Sequence, residues 1–439
     1  MSGDTGGEGF RLNESMTTRA SLHGRCLGGL IGIVTIAGVA LSAAVAWATE
    51  PIKIGMSMAL TGSLAGTGKA ALLATQMWVE DINAKGGLLG RPVKLICYDD
   101  QSNPSTVPGI YTKLIDVDKV DLVASGYATN IVAPAMPIII QHGLVFIGLY
   151  ALSVNEQFGY DRYFAIVPQG TDARLEFSRG FYRVALSMDP QPKTVAIAGA
   201  DAEYSRIATD GARENARKLG LAITYDRSYP PGTVDFAPIV RAIQATNPDI
   251  VFLASYPLDS VGMVRAINEV GLKAKMFGGG LVGLQYAAVK RQLGSLLNGV
   301  TTFDTYVPEP TMQFPGIKDF LSRYQKRAIA EGADELGFYT PPFAYARMQV
   351  LEQGIEAINS LDQKLLAEYL HRTTFQTIAG EMRFGQTGEQ PDSRILLVQY
   401  QGITGNSLDQ FKAPGRQVII FPASLKSGEF KYPFSEVRR

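Results

Sequence analysis

The stretch IKIGMSMALTGSLAGTGKAALLATQMWVEDINAKGGLLGRPVKLICYDDQSNP, residues 52–104, decides the fold. Residues 52–59 are largely apolar and lie between Pro51 and the Thr61-Gly62 turn, the pattern of a buried strand. Leu72, Thr75, Trp78, Val79 and Ile82 recur at helical spacing, which predicts a helix over residues 69–85 with one core-facing stripe. Gly86-Gly87 ends that helix, and residues 93–98 form the next strand, followed by Asp99-Asp100. Such a βαβ unit makes parallel strands. It leaves the loop after the first strand at the carboxyl edge of the sheet, where open α/β sheets bind ligands.

The same alternation continues downstream. Strands are expected at residues 121–125 and 144–149, with a helix at 131–141 between them despite Pro134 and Pro137. A second set runs from a strand at 194–198 to a strand at 275–277. Two sets of βαβ repeats predict an α/β chain with two doubly wound, Rossmann-like lobes. The strand-end loops at 59–69, 125–131, 148–155, 199–206, 254–260 and 278–286 would then face a shared cleft. They carry Tyr127, Tyr150, Tyr204, Tyr256 and Tyr286. Tyrosine suits a cleft, having a large apolar face, a hydroxyl and little entropy to lose, although each one also fits as rim or packing.

The first 48 residues read as a leader. Arg11, Arg19 and Arg25 precede an uncharged run from Cys26 to Ala48, which ends in the small-x-small pattern Ala46-Trp47-Ala48. That is a secretory signal peptide cleaved near Ala48. Met16 is a second candidate start, and a membrane anchor is the competing reading of the apolar run. The chain is electrically balanced, with 41 basic and 41 acidic residues, so it offers no electrostatic footprint for nucleic acid or an anionic membrane. Past the leader only Cys97 remains of the cysteines, which excludes an internal disulfide and leaves Cys97 a packing residue.

Enzyme chemistry is thinly supplied. Gly66-Thr67-Gly68-Lys69-Ala70-Ala71 has the outline of a dinucleotide-binding fingerprint, with Asp99 closing the second strand, so an exported NAD-dependent oxidoreductase is the alternative of another class. Against it, Asp99 lies farther along the chain than the roughly 20 residues expected. Lys69 is followed by Ala70, which breaks a P-loop. His142 and His371 are the histidines left after the leader, too few for a triad or a zinc site. No catalytic residue, metal ligand or cofactor is assigned.

Three blocks together, LTGSLAGTG (60–68), VEDINAKGGLLGRPVKL (79–95) and YDDQSNP (98–104), resemble the periplasmic solute-binding proteins of branched-chain-amino-acid ABC transporters. The likeness extends over most of the chain after Glu50. It implies the type I periplasmic binding protein fold, two lobes joined by a three-strand hinge, with crossings near Pro168, Thr301 and Thr377. Residues 49–168 with 301–377 would form lobe one, and 169–300 with 378–439 lobe two. It also implies a monomer in the periplasm that delivers its ligand to permease subunits in the inner membrane.

The resemblance assigns ligand contacts position by position. Thr129, within Tyr127-Ala128-Thr129, matches the hydroxyl residue that holds a ligand carboxylate. The next loop departs from the pattern, with Leu152 in place of a hydroxyl and Tyr150 adding bulk. Tyr204 and Tyr256 match the aromatics of lobe two, and Thr67 lies in the first loop. In the last loop Gly280, followed by Leu281, stands about where an acidic residue pairs with the ligand's α-ammonium. The disulfide of some members is absent, its positions reading Ser102 and Ala128. An enclosed ammonium without a carboxylate partner is costly. The expected ligand is therefore a carboxylate without an amine, of aromatic character, the glycines at 278–280 leaving it room. A branched-chain or other apolar amino acid is the runner-up, with Asp201, Glu203 or Asp259 supplying the acid.

Overall fold

The computed structural model describes residues 50–438; the leader reading lies outside them. Strand β1 (Ile52–Met58) pairs in parallel with β2 (Val93–Asp99) on one side and β3 (Leu122–Ala124) on the other. Helix α1 (Ala65–Ala84) crosses between β1 and β2, and α2 (Val107–Thr112) precedes β3. Gly87 donates its N–H to the Ile82 carbonyl at 2.9 Å with φ +82°, the left-handed stop that the Gly86-Gly87 pair supplies. Helix α3 (Thr129–His142) follows β3 and keeps its course through Pro134 and Pro137. Strand β4 (Phe146–Gly148) lies beside β3 and pairs with β5 (Tyr163–Ala165), the short α4 (Val154–Phe158) bridging them.

The second lobe is one mixed seven-stranded sheet. Helix α5 (Ala173–Ala185) leads into β6 (Thr194–Ala200), α6 (Glu203–Lys218), β7 (Ala222–Tyr229), α7 (Ala237–Ala245), β8 (Ile250–Ser255), α8 (Pro257–Val270), β9 (Met276–Leu281) and α9 (Ala287–Leu293). Strands β6 to β9 are mutually parallel, and their near-continuous apolar sequences match a sheet covered on both faces. Next come β10 (Thr301–Asp304), then α10 (Ile317–Ala328), α11 (Thr340–Ile358), α12 (Gln363–Arg372) and the hairpin β11 (Thr374–Thr377) and β12 (Gly380–Arg383). Strands β13 (Leu396–Tyr400) and β14 (Gln417–Phe421) are antiparallel additions at the edge, and α13 (Phe434–Val437) ends the chain's described part.

Sheet membership moves two of the expected crossings. Strand β10 pairs with β9 and β13, so Thr301 lies inside the lobe-two sheet and the chain leaves it after Asp304. The hairpin β11–β12 packs on α11 and α12, and α11 packs on α1. Residues 374–383 thus stay with lobe one, and the return to lobe two comes at residues 390–395. There Gln169 bridges Ser393, and the Arg394 N–H donates to the Pro168 carbonyl at 2.9 Å. Pro168 lies on the segment between β5, which pairs with β4, and α5, which packs on the lobe-two sheet.

Two buried polar contacts set the lobe-one scaffold. Trp78 on α1 is fully buried and donates its indole N–H to Glu352 on α11 at 2.7 Å. Arg347, also on α11 and fully buried, donates to the Ser125 carbonyl at 2.6 Å, just past β3. His371 sits with its ring nitrogens at 2.9 and 2.7 Å from the carbonyls of Gly385 and Asp161, a structural placement. Cys97 is half-buried on β2, and burial pushes its thiol up to about 12, so it stays protonated. Among the described residues no helix is long and apolar enough to cross a membrane.

Candidate functional site

The carboxyl ends of β3 and β4 place two loops side by side. Ser125 ties them together. Its hydroxyl accepts the Leu149 N–H at 2.9 Å and an Arg347 N–H at 3.3 Å. Ala128 donates its N–H to the Leu149 carbonyl at 3.2 Å, and Leu152 donates its N–H to the Thr129 hydroxyl at 3.0 Å. Three residues of these loops hold left-handed backbone without being glycine: Ala128 at φ +82°, Tyr150 at +56° and Ser153 at +53°. Such conformations cost of order 1 kcal/mol or more each and persist where the surroundings over-determine them, as at ligand sites. The backbone N–H groups of Thr129 and Asn130, at the start of α3, find no acceptor among the described residues. That is a preformed anion-binding end, with the helix dipole favouring negative charge.

These loops form one wall of a narrow cavity between the lobes. Lobe one contributes Leu64, Tyr127, Ala128, Thr129, Tyr150, Leu152 and Tyr339. Lobe two contributes Phe177 from α5, Tyr204, Tyr256, Val282 and Phe303. The third wall is the hinge itself: Val167 and Gln169 from the first crossing, Thr305 from the second and Ile395 from the third. Among the described residues no charged side chain lines the cavity.

Aromatic rings dominate the lining. Tyr150 and Tyr339 lie 4.3 Å apart between centroids, Tyr127 meets Tyr150 at 5.8 Å, and Phe177 meets Tyr204 edge-on at 5.6 Å. Tyr204 meets Tyr256 edge-on at 5.8 Å. The Tyr150 phenol lies 2.5 Å from the Thr305 hydroxyl and donates to the Tyr339 carbonyl at 2.8 Å, linking lobe one to the hinge. Burial raises the phenols of Tyr127, Tyr150, Tyr204 and Tyr339 well above the usual tyrosine range. They remain neutral hydrogen-bonding groups.

Of the residues singled out from the sequence, Tyr127, Ala128, Thr129, Tyr150, Leu152, Tyr204 and Tyr256 line this cavity. Thr67, Gly280 and Leu281 do not. Thr67 is buried within α1, where its carbonyl accepts the Thr340 hydroxyl at 3.3 Å. Gly280 and Leu281 are strand residues, because β9 runs through the glycine triplet and pairs Ala254 with Gly280 and Ser255 with Leu281. The glycines leave no room for ligand either. A Cβ at 278 would stand 1.7 Å from the Thr301 carbonyl, and one at 279 would stand 2.5 Å from the Phe252 ring. One at 280 would stand 2.7 Å from the Tyr204 hydroxyl, which donates to the Gly280 carbonyl at 3.1 Å.

Leu64, Val167, Gln169, Phe177, Val282, Phe303, Thr305, Tyr339 and Ile395 went unnoticed in the sequence. The crossings carry no periodic signal. Tyr339-Thr340-Pro341, a helix start with proline in its first turn, was the readable cue for Tyr339. The acids proposed as ammonium partners lie elsewhere. Glu203 and Asp259 line an outer groove beside Tyr256, and Asp201 is exposed and paired with Arg206 at 3.2 Å. Asp99, the acid of the dinucleotide outline, is engaged by its own loop: it accepts the N–H groups of Leu60, Thr61 and Gln101 and the Thr61 hydroxyl at 2.6 Å.

Residues 51–406 match the family model described as periplasmic binding protein. A "Leu/Ile/Val-binding protein homolog 8" of Brucella abortus (strain 2308) is 26% identical over 412 residues, covering 90% of this chain and 96% of that protein. Among solved structures, a branched-chain amino acid transporter substrate binding protein from Streptococcus pneumoniae, in complex with isoleucine, superposes with a TM-score of 0.70. It is 17% identical, covering 85% of this chain and 100% of that one. An ABC transporter solute-binding protein from R. palustris, in complex with benzoate, superposes with a TM-score of 0.69. It is 16% identical, covering 84% and 95%.

Proposed function

Since the chain belongs to the periplasmic binding protein family, we propose that it captures a small carboxylate without an amine, of aromatic character, in the inter-lobe cavity and delivers it to an ABC transporter. The observation that carries this reading is the lining: an aromatic, tyrosine-rich cavity with no acidic side chain. An α-ammonium enclosed there would stay unpaired, at a cost of several kcal/mol. A carboxylate has a ready place at the free N–H group of Thr129, which lines the cavity at the start of α3, beside its own hydroxyl. The tyrosine and phenylalanine rings supply faces and edges for an aromatic ring.

Binding follows from two lobes on a hinge. Lobe one holds the anion on loops already fixed by Ser125 and Arg347, and lobe two covers it with Phe177, Tyr204 and Tyr256. A ligand that touches both lobes favours closure, because the closed form is the one it binds better. The closed protein then presents both lobes to permease subunits in the membrane. Export through a leader cleaved near Ala48, and a monomeric carrier, complete the proposal.

The branched-chain amino acid reading draws on what the Brucella and Streptococcus proteins are said to bind. It requires an ammonium partner from outside this lining. A thermal-shift screen of residues 49–439 against aromatic acids, apolar amino acids, dicarboxylates and NAD decides between them. A native-state ligand at a hundredfold excess over its Kd adds about 2.7 kcal/mol of stability. A shift with benzoate-type acids and none with leucine is the expected result. A shift with leucine alone refutes the amine-free reading, and a shift with NAD alone refutes the transport reading.

A further inference from the structure

Among the described residues Gln169 is the one carboxamide in the cavity lining, and it stands on the hinge. Its backbone bridges Ser393, so the side chain projects from the pair of crossing strands. The residue is 96% buried, its relative exposure being 4%. Its amide oxygen is buried without a hydrogen-bond partner, and its amide nitrogen makes no hydrogen bond among the described residues. Natural interiors rarely leave a buried carboxamide unsatisfied. None of the hydroxyls that line the cavity reaches it, so the missing partner is one that enters the cavity.

We infer that Gln169 is a specificity-determining residue that reads a hydroxyl group on the ligand, so that the preferred substrates are hydroxylated aromatic acids. This rests on the amine-free aromatic reading and adds a second polar anchor to it. A phenolic hydroxyl fits both halves of the carboxamide: it donates to the Gln169 oxygen and accepts from the nitrogen. A second carboxylate would set a charge against the amide oxygen, and an unsubstituted ring would leave the whole group unpaired. Sites built to bond a hydroxyl reject the analogue that lacks it, because their own polar groups are then stranded.

The test is calorimetric titration of residues 49–439 with benzoate and with the three monohydroxybenzoates, on wild type, Gln169→Leu and Gln169→Met. In wild type, at least one hydroxybenzoate is expected to bind about tenfold or more tightly than benzoate. In both variants the hydroxybenzoate-to-benzoate affinity ratio should fall to within about twofold, whatever happens to the affinity for benzoate itself. A wild-type ratio near one, or a preference that survives in both variants, overturns the inference while leaving the aromatic-acid reading intact. A water molecule satisfying Gln169 would give the first of those results. Failure of wild type to bind any of the four acids overturns both readings. Thermal unfolding of each variant checks that it is folded, and the methionine variant keeps the chain length of the side chain if leucine is not accommodated.

Discussion

Substituting Gly280 with alanine should weaken the protein through one contact, the Tyr204 phenol. The backbone at 280 is ordinary strand, so no left-handed strain enters. The new methyl would sit 2.7 Å from the Tyr204 hydroxyl, 3.0 Å from the Phe177 ring and 3.4 Å from the Ala254 methyl. The first of these is too close and must give. Moving the phenol breaks its 3.1 Å bond to the Gly280 carbonyl. Overpacking of this size costs about 1–3 kcal/mol, and the hydrogen bond contributes about 1 kcal/mol. Tyr204→Phe alone should cost about 1 kcal/mol, the hydrogen bond without the clash. In Gly280→Ala/Tyr204→Phe the atom in the way is gone. The double variant should therefore be more stable than the sum of the singles predicts, by about 1 kcal/mol or more. Urea unfolding of the four proteins without ligand reads this coupling directly. Additivity within about 0.5 kcal/mol would refute the reasoning, since it would mean that position 280 faces open space.

Arg347→Met should separate folding from binding. The guanidinium is fully buried, no carboxylate among the described residues pairs with it, and burial lowers it to about 10, so its removal relieves a desolvation cost while losing the bonds to Ser125 and Thr75. The urea midpoint is expected to imply a change of no more than about 2 kcal/mol, while ligand affinity falls about tenfold because the Ser125 loop loses its brace; unchanged affinity by calorimetry would remove Arg347 from the site's support. Glu389 is expected to govern a pH effect. Both its carboxyl oxygens lack partners, and burial, then the Glu156 charge, pushes it up to about 8 from 4.5. Below pH 4.5 the group is protonated in folded and unfolded chains alike; between 4.5 and 8 only the folded chain holds the proton, so wild-type stability should fall as pH rises through that window. Glu389→Gln should match wild type near pH 4.5 and exceed it by several kcal/mol near pH 8.5, read by urea unfolding at each pH. Equal pH dependence in both proteins would place the carboxyl in water.

The first βαβ unit was readable because its signals are local: an apolar run, a helical stripe and a glycine pair. Tyr127, Tyr150, Tyr204 and Tyr256 could be singled out because each follows a strand, whereas Tyr339 starts a helix. The glycine triplet was misread for a nonlocal reason. Glycine has little intrinsic strand preference, and what makes 278–280 a strand is pairing with β8 and β10. The crowding that excludes side chains there comes from Phe252, Thr301 and Tyr204, each distant in sequence. Likewise Thr301 looked like a boundary because its partner strand β13 arrives almost a hundred residues later. Gln169, Thr305 and Ile395 had no pattern at all; they share a wall only because three separate crossings run side by side.

That shared wall has a pharmacological consequence. Each crossing places a side chain in the cavity, so the angle between the lobes and the floor of the site are set by the same short segments. A small acid that reaches the Thr129 end but stops short of Gln169 and Thr305 would occupy the protein without engaging the parts that rotate. Such a compound would act as a decoy, filling the carrier while withholding the closed shape that a transporter reads. Affinity and uptake would then part company across a ligand series, the tightest binder not always being the best cargo.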